Sequence, residues 1–230
     1  MAFATVVLDA VEEPSQIAGV VDKARTAISY IFRRERSQST RWDGVRLTGW
    51  LETDALAGSQ LSMIGIERGA LTAALAPQMS GQHPVFFPTI HAVVGLHRLE
   101  YQEFRAAFAS RWSLPGQVDV RPFYKGFSKA KSLFCTTRYA IKRSRWNLLG
   151  NQYQVWPAEW VAAYENWHLG WSKSFQRTRF TCRPSAGWHS NRISEVMYRE
   201  SSILDSGITT SDATCKHDPT DEYGAMPCVF

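Results

Sequence analysis

The stretch Pro88-Thr-Ile-His91-Ala-Val-Val-Gly-Leu-His-Arg98 decides how the rest of this chain is interpreted. It is a short apolar run with histidines set into it, bounded by proline and glycine. Because side chains alternate across a strand, Thr89, His91 and Val93 are predicted to share one face. Proline cannot donate to a sheet ladder, so the strand should either start after Pro88 or lie at an edge of its sheet. The histidine at its centre is either a hydrogen-bonded core residue or a ligand.

Hydrophobic spacing on both sides of this stretch predicts a mixture of strands and helices. Apolar residues recur every three or four positions in the predicted helices and at every second position in the predicted strands. The predicted helices cover residues 15–36, 67–76, 98–112, 131–145 and 157–175, and the predicted strands cover 41–54, 61–66, 85–96 and 117–124. This order predicts an α+β fold, with an antiparallel central sheet of about five strands and helices packed mainly on one face.

The composition of the chain indicates a globular protein. Its 230 residues include 44% hydrophobic and 13% aromatic side chains, which is enough for a packed core. No apolar run approaches the roughly 20 residues that cross a bilayer, and the N-terminus lacks the basic region that opens a signal peptide. We therefore expect a cytoplasmic protein with no membrane partner. The four cysteines form no CxxC pair, which favours reduced thiols.

The charge of the chain is unevenly distributed. The net charge is +5, but residues 195–230 are acidic, so residues 1–194 carry 24 Lys and Arg against 14 Asp and Glu. Residues 120–157 contain no acid and eight cations, with aromatic residues between them. This pattern favours a surface that follows a phosphate backbone and stacks bases, and a solvated charged face is the alternative.

Three segments are predicted along the chain. Residues 1–40 form an N-terminal helical segment, and residues 41–190 form the main domain. Residues 191–230 are rich in Ser, Thr, Asp and Gly with few aromatic residues, which predicts a flexible acidic tail.

Two further groups of residues carry chemistry. Glu52 and Asp54 share a face of their predicted strand, where they are either metal ligands or an exposed strand end. In the predicted helix over residues 131–145, Tyr139 adjoins Lys142 at i+3 and Arg143 at i+4. The cations expected to contact nucleic acid there are Lys131, Arg138, Arg143 and Arg145.

These motifs and their order resemble the HUH endonucleases, the superfamily of rolling-circle replication initiators, relaxases and related transposases. In that family a His-hydrophobic-His pair on a central strand holds a divalent metal, and a tyrosine from a following helix attacks DNA. The metal motif falls on Thr89-Ile-His91, the tyrosine motif on Tyr139-Ala-Ile-Lys142, and an acidic strand on Gly49-Trp-Leu-Glu52. The resemblance covers about residues 42–146.

The resemblance implies a ferredoxin- or RRM-like sheet and a nickase of single-stranded origin DNA. Tyr139 would attack the scissile phosphate, assisted by Lys142, and leave a 5′-phosphotyrosine and a free 3′-hydroxyl. His91 and Glu52 would hold Mn²⁺ or Mg²⁺. The implied partners are single-stranded or origin DNA and a host helicase or polymerase.

One position departs from the family pattern, because Thr89 stands where the first histidine is expected. Three interpretations remain open. His91 holds the metal with Glu52 and with Thr89 or water; His83 or His97 supplies the missing ligand; or the site is degenerate and the protein only binds single-stranded DNA or RNA. A different class of protein also fits part of the chain, with the tryptophan-rich helix over residues 157–175 as a partner interface.

Overall fold

The structure is a computed structural model that describes residues 1–79, 81–123, 126, 128, 130, 146–149, 152–172 and 176–183. The described residues belong to one compact unit. Its main helices and strands are β1 (Ala2–Val7), α1 (Ile17–Gln38), β2 (Arg46–Ala57), α2 (Ile66–Leu75), β3 (Pro84–Gly95), α3 (Tyr101–Ala109), β4 (Val118–Pro122), β5 (Trp146–Leu149), β6 (Gln152–Val155), α4 (Ala158–Ser172) and β7 (Arg179–Cys182).

The described strands form one large sheet and a separate hairpin. The large sheet has five strands in the order β4-β1-β3-β2-β7, and every neighbouring pair is antiparallel. The hairpin consists of β5 and β6. The predicted α+β class with a five-stranded antiparallel sheet is therefore confirmed, and the strand that contains His91 lies at its centre.

One face of the sheet, called here the helix-covered face, carries the main core. Its strand residues are almost all apolar, and they pack against apolar residues of α1, α3 and α4. The strand residues are Ala2, Ala4, Val6, Leu47, Leu51, Ala55, Ala57, Phe86, Ile90, Ala92, Val94, Val118, Val120 and Phe180. Aromatic rings fill the centre of this layer, where Phe104 of α3 stacks on Phe108 at 4.5 Å and on Trp42 at 5.7 Å between ring centroids.

The opposite face, called here the polar face, combines buried polar residues with a smaller apolar cluster. The polar residues are Thr5, Glu52, Asp54, Thr89 and His91. The apolar cluster joins α2 to the ends of β1, β2 and β3, and its fully buried members are Val7, Leu56, Leu71, Val85, Phe87 and Leu149. Helices thus pack mainly on one face, as predicted, and α2 is the described helix of the other face.

The expectation for Pro88 is wrong, because β3 runs through it at the centre of the sheet. The N–H and C=O of a strand residue point to the same side, and the Pro88 carbonyl accepts a bond from the Leu8 amide at 2.9 Å. The side of Pro88 that lacks an N–H group therefore faces the end of β1. The next paired residues are Val11 and Phe86, so the chain directly after β1 contains one more residue than the part of β3 that it faces. Proline is tolerated at such a bulge.

Two other predictions differ from the structure. Residues 1–40 contain not only the predicted helix, α1, but also β1, which pairs with both β3 and β4. The division at residue 40 is therefore absent from the fold. The predicted strand over residues 61–66 is also wrong, because Gly58–Met63 is a 3-10 helix. The Gln60 side chain accepts a bond from the Ala57 amide at 3.0 Å, which closes a turn directly after β2.

Several predicted features lie outside the described residues. These are the helix over residues 131–145, the last three residues of the predicted helix over 157–175, and the acidic tail over 191–230. No helix within the described ranges has the length and apolar character needed to cross a membrane.

Candidate functional site

The central feature of the polar face is a contact between His91 and Glu52. In the antiparallel pairing of β2 with β3, His91 lies opposite Trp50 and Glu52 lies opposite Thr89, so the two side chains meet on a diagonal. The His91 Nε2 and Glu52 Oε2 atoms are 2.9 Å apart, and each side chain is 7% exposed. The structure therefore brings together the two residues that were predicted to hold a metal.

The other ring nitrogen of His91 also has a partner. Thr5 of β1 lies directly opposite His91, and its Oγ1 is 3.3 Å from His91 Nδ1 in a buried contact. Phe3 stacks on the imidazole, with 5.8 Å between centroids and 7° between planes. The ring is thus held by a hydroxyl, a carboxylate and an aromatic face, from β1 and β2.

Thr89 does not take the place of the missing histidine. It is buried and lies opposite Glu52, on the same face as His91. Its hydroxyl donates to the Phe87 carbonyl of its own strand at 3.2 Å. The side chain at this position is therefore turned along β3.

The two histidines considered as replacements lie beyond the ends of β3. His83 precedes Pro84, and at about 3.3 Å per residue His91 is about 23 Å from the strand start. His97 lies in the turn beyond Gly95 with φ 53°, and its ring packs against Gly44. Neither histidine lies beside His91, so the interpretation in which one of them supplies the second ligand has no geometric basis.

The second predicted carboxylate, Asp54, is engaged elsewhere on the polar face. Asp54 lies opposite Phe87, and its Oδ2 accepts a bond from Arg68 of α2 at 3.4 Å. Both residues are buried, so Asp54 is not an exposed strand end. The two carboxylates do share a face, but they have different partners.

The described residues bring two common metal-ligating side chains together, His91 and Glu52. Among the described residues, no group of three or more His, Cys, Asp or Glu residues converges. His91 Nε2 and Glu52 Oε2 lie 2.9 Å apart, so the same ion could contact both atoms. An imidazole with one carboxylate suits Mn²⁺ better than Mg²⁺. The chemistry of this pair therefore fits Mn²⁺, which would need further ligands besides His91 and Glu52.

The remaining predicted site residues lie outside the described residues. They are Tyr139, Lys142, Lys131, Arg138, Arg143 and Arg145. One cation of the acid-free segment lies within the described residues. It is Arg121, which is exposed at the end of β4. Its Nε contacts Asp119 Oδ2 at 2.7 Å.

Three residues of this face were missed by the sequence analysis, namely Phe3, Thr5 and Arg68. A signal for the first two exists in Ala2-Phe-Ala-Thr-Val-Val7, where small and larger side chains alternate as in a strand. For Arg68 no pattern in the sequence indicates a buried partner, because a charged residue in a short helix is most often exposed.

Protein-family models, curated proteins and solved structures were all searched, and none of them matches the chain.

Proposed function

We propose that this protein is a rolling-circle replication initiator-like nickase that binds single-stranded origin DNA and cuts it through a tyrosine. The observation that carries the proposal is the contact of 2.9 Å between His91 and Glu52 at the centre of the sheet. Both residues were assigned to a metal from sequence motifs on separate strands. A buried pair of ionisable side chains costs folding free energy, which favours a functional reason for keeping it.

The order of the elements also supports the proposal. Without α2, the chain runs β1-α1-β2-β3-α3-β4, and these strands lie in the order β4-β1-β3-β2. The resemblance implies a split βαβ unit, and the agreement of this strand order with such a unit supports the proposal. Tyr139 follows β4 in the sequence by 17 residues.

The proposed reaction is a transesterification. The Tyr139 phenol oxygen forms a bond to phosphorus and loses its proton to solvent, while the bond from phosphorus to the 3′-oxygen breaks. The 3′-oxygen leaves as a hydroxyl after it takes a proton, and the 5′ strand end stays on Tyr139. Lys142 offsets the negative charge that develops on the phosphate. When bound at His91 and Glu52, Mn²⁺ or Mg²⁺ supplies positive charge that makes the phosphate more electrophilic.

The product explains the proposed partners. A free 3′-hydroxyl is a primer for a host polymerase, and a helicase would separate the strands ahead of it. Such a protein acts where its DNA is replicated, in the cytoplasm of the cell that carries the replicon.

The test is covalent capture of DNA by the full chain. We would incubate the protein with a randomised pool of single-stranded oligonucleotides and Mn²⁺, denature it, and sequence the DNA that stays attached. The proposal predicts an adduct enriched in one sequence, and loss of that adduct in Tyr139→Phe and in His91→Ala.

The matched control is Tyr30→Phe, since Tyr30 is an exposed tyrosine on α1. This variant should form the adduct at the wild-type level. An adduct that persists in Tyr139→Phe would remove Tyr139 from the nucleophile's role.

A second candidate function is a binding module of the same fold without nuclease activity. It is favoured by Thr89, whose hydroxyl bonds to its own strand where a second histidine would stand. Such a module would bind single-stranded DNA or RNA with an affinity that falls by about 0.7 logarithmic units per phosphate contact for each tenfold rise in salt. It would form no adduct with any metal, which distinguishes it from the nickase.

A further inference from the structure

Thr5 is the one polar side chain that β1 presents to the centre of the polar face. Its neighbours on that side of the strand are Phe3 and Val7, and its hydroxyl lies 3.3 Å from His91 Nδ1. Thr5 is 5% exposed, so this contact is shielded from water. A hydroxyl in such a place has a cost unless it is hydrogen-bonded, and the imidazole is its observed partner.

The contact with Glu52 bears on where the proton of His91 lies. His91 Nε2 and Glu52 Oε2 are 2.9 Å apart, and an ionised carboxylate accepts hydrogen bonds and cannot donate them, so a proton between these two atoms comes from Nε2. When Nε2 carries the proton of a neutral ring, Nδ1 has a lone pair and accepts the hydrogen of the Thr5 hydroxyl.

Metal binding requires the opposite placement of the proton on the His91 ring. A metal bound at Nε2 needs the lone pair of that atom, so a neutral ring must carry its proton on Nδ1 instead. The Nδ1–H group then needs an acceptor, and the Thr5 oxygen is at the required place. A hydroxyl can rotate to donate or to accept, which a methyl group cannot do.

We propose that Thr5 is a positioning residue for His91, which lets the imidazole exchange its proton between Nε2 and Nδ1 and so present Nε2 to a metal ion. The inference rests on the proposed function, since the metal belongs to that function. The stacked Phe3 ring supports it, because stacking opposes rotation of the imidazole, whereas exchange of the proton between the two nitrogens needs no rotation.

The first test is Mn²⁺ binding by the full chain without DNA, followed through the electron paramagnetic resonance signal of the free ion. Partners of this kind change metal affinity by about 10- to 100-fold when removed. We expect a loss of that size in Thr5→Val and near wild-type affinity in Thr5→Ser, which keeps the hydroxyl. The control is Thr181→Val, an exposed threonine of β7 on the same face, which should bind as the wild type does.

The second test is the state of the His91 ring in the metal-free protein. Nitrogen-15 spectra of histidine-labelled protein, assigned with His91→Gln, should show a proton on Nε2. Thr5→Val should move the Nδ1 resonance, and Thr5→Ser should leave it in place. An unmoved Nδ1 resonance in Thr5→Val overturns the inference.

The outcomes separate this inference from the proposed function. If the wild type binds Mn²⁺ and Thr5→Val binds it equally well, the role of Thr5 is wrong and the nickase proposal stands. If the wild type itself binds no Mn²⁺, while folding as the variants do, the metal site of the proposed function fails and the inference fails with it.

Discussion

The two faces of the central sheet are built from the same strands and have opposite chemistry. On the helix-covered face, residues such as Ile90 and Leu51 are surrounded by apolar side chains of α1, α3 and α4. On the polar face, the neighbouring residues His91 and Glu52 are also buried, and their ionisable atoms lie 2.9 Å apart. Burial of an apolar side chain stabilises a fold, whereas burial of ionisable groups costs free energy that their contact only partly returns. The difference indicates that the helix-covered face supplies most of the apolar burial that stabilises the fold, and it agrees with the metal-binding role proposed for the polar face.

The largest effect should come from the helix-covered face. Phe104 is fully buried and contacts Trp42 and Phe108 through ring stacking. Phe104→Ala removes these contacts and leaves a cavity, so the free energy of unfolding should fall by about 3–5 kcal/mol. Chemical denaturation measures this loss. Phe104→Leu fills more of the cavity and should lose less; equal stability of Phe104→Ala and wild type would contradict the assignment of this face to stability.

A smaller effect is expected at Gly49, where β2 approaches β3 closely. A Cβ atom there would lie 2.8 Å from Ala92 Cβ and 3.0 Å from the His91 carbonyl oxygen. Gly49→Ala should therefore lower the free energy of unfolding by about 1–3 kcal/mol through overpacking.

The matched control for this substitution is Gly95→Ala, at the end of β3. The nearest atom to its added Cβ is Arg46 Cβ at 3.7 Å, an ordinary contact. This variant should keep the wild-type stability or gain about 0.5 kcal/mol. If both variants are equally stable, the close approach at Gly49 does not constrain the sheet.

On the polar face, removal of the central pair should have little effect on stability. Replacement of a buried ionic pair by apolar residues of similar volume is often neutral or stabilising. The double variant His91→Leu, Glu52→Leu should therefore unfold within about 1 kcal/mol of the wild type, and each single variant should lose more. A loss of about 3 kcal/mol or more in the double variant would make the pair part of the stabilising core and remove the contrast between the faces.

The smallest effect concerns Cys182, at the edge of the helix-covered face. Burial raises the pKa of the Cys182 thiol above its ordinary value of 9.0, and the Arg36 guanidinium opposes this shift. Above pH 9.0 the unfolded chain loses the proton while the folded protein keeps it, so stability falls as pH rises. Cys182→Ala should show a shallower decline between pH 8 and 10 in urea unfolding than the wild type; identical slopes would exclude this contribution.

Local patterns predicted the fold class and the positions of α1, α2, α3, α4, β2, β3 and β4. They failed where structure depends on distant parts of the chain. β1 is short, and its small residues gave no sign that it would lie between β3 and β4. Pro88 was expected to precede the strand or to place it at an edge of the sheet. It lies inside β3, and the extra residue after β1 that accommodates it is a property of the pairing and not of the proline.

The candidate site was predictable only in part, because local patterns do not reveal contacts between distant residues. His91 and Glu52 were found because each lies in a recognisable strand motif. Thr5 and Arg68 were not found, because their roles depend on partners 86 and 14 residues away in the chain. Sequence spacing alone does not encode which hydroxyl will lie opposite which imidazole.

Pro88 has a consequence for the imidazole three positions further on. Pro88 offers a carbonyl oxygen to the neighbouring chain but has no N–H group to donate. The carbonyl of Leu8, just past the last residue of β1, therefore receives no hydrogen bond from Pro88. If β1 slid by two residues, Phe3 or Val7 would face His91 instead of Thr5. The shift that brings Val6 opposite Pro88 would also leave the Val6 carbonyl, inside β1, without a hydrogen-bond donor. The proline thus helps to select the alignment in which His91 meets a hydroxyl.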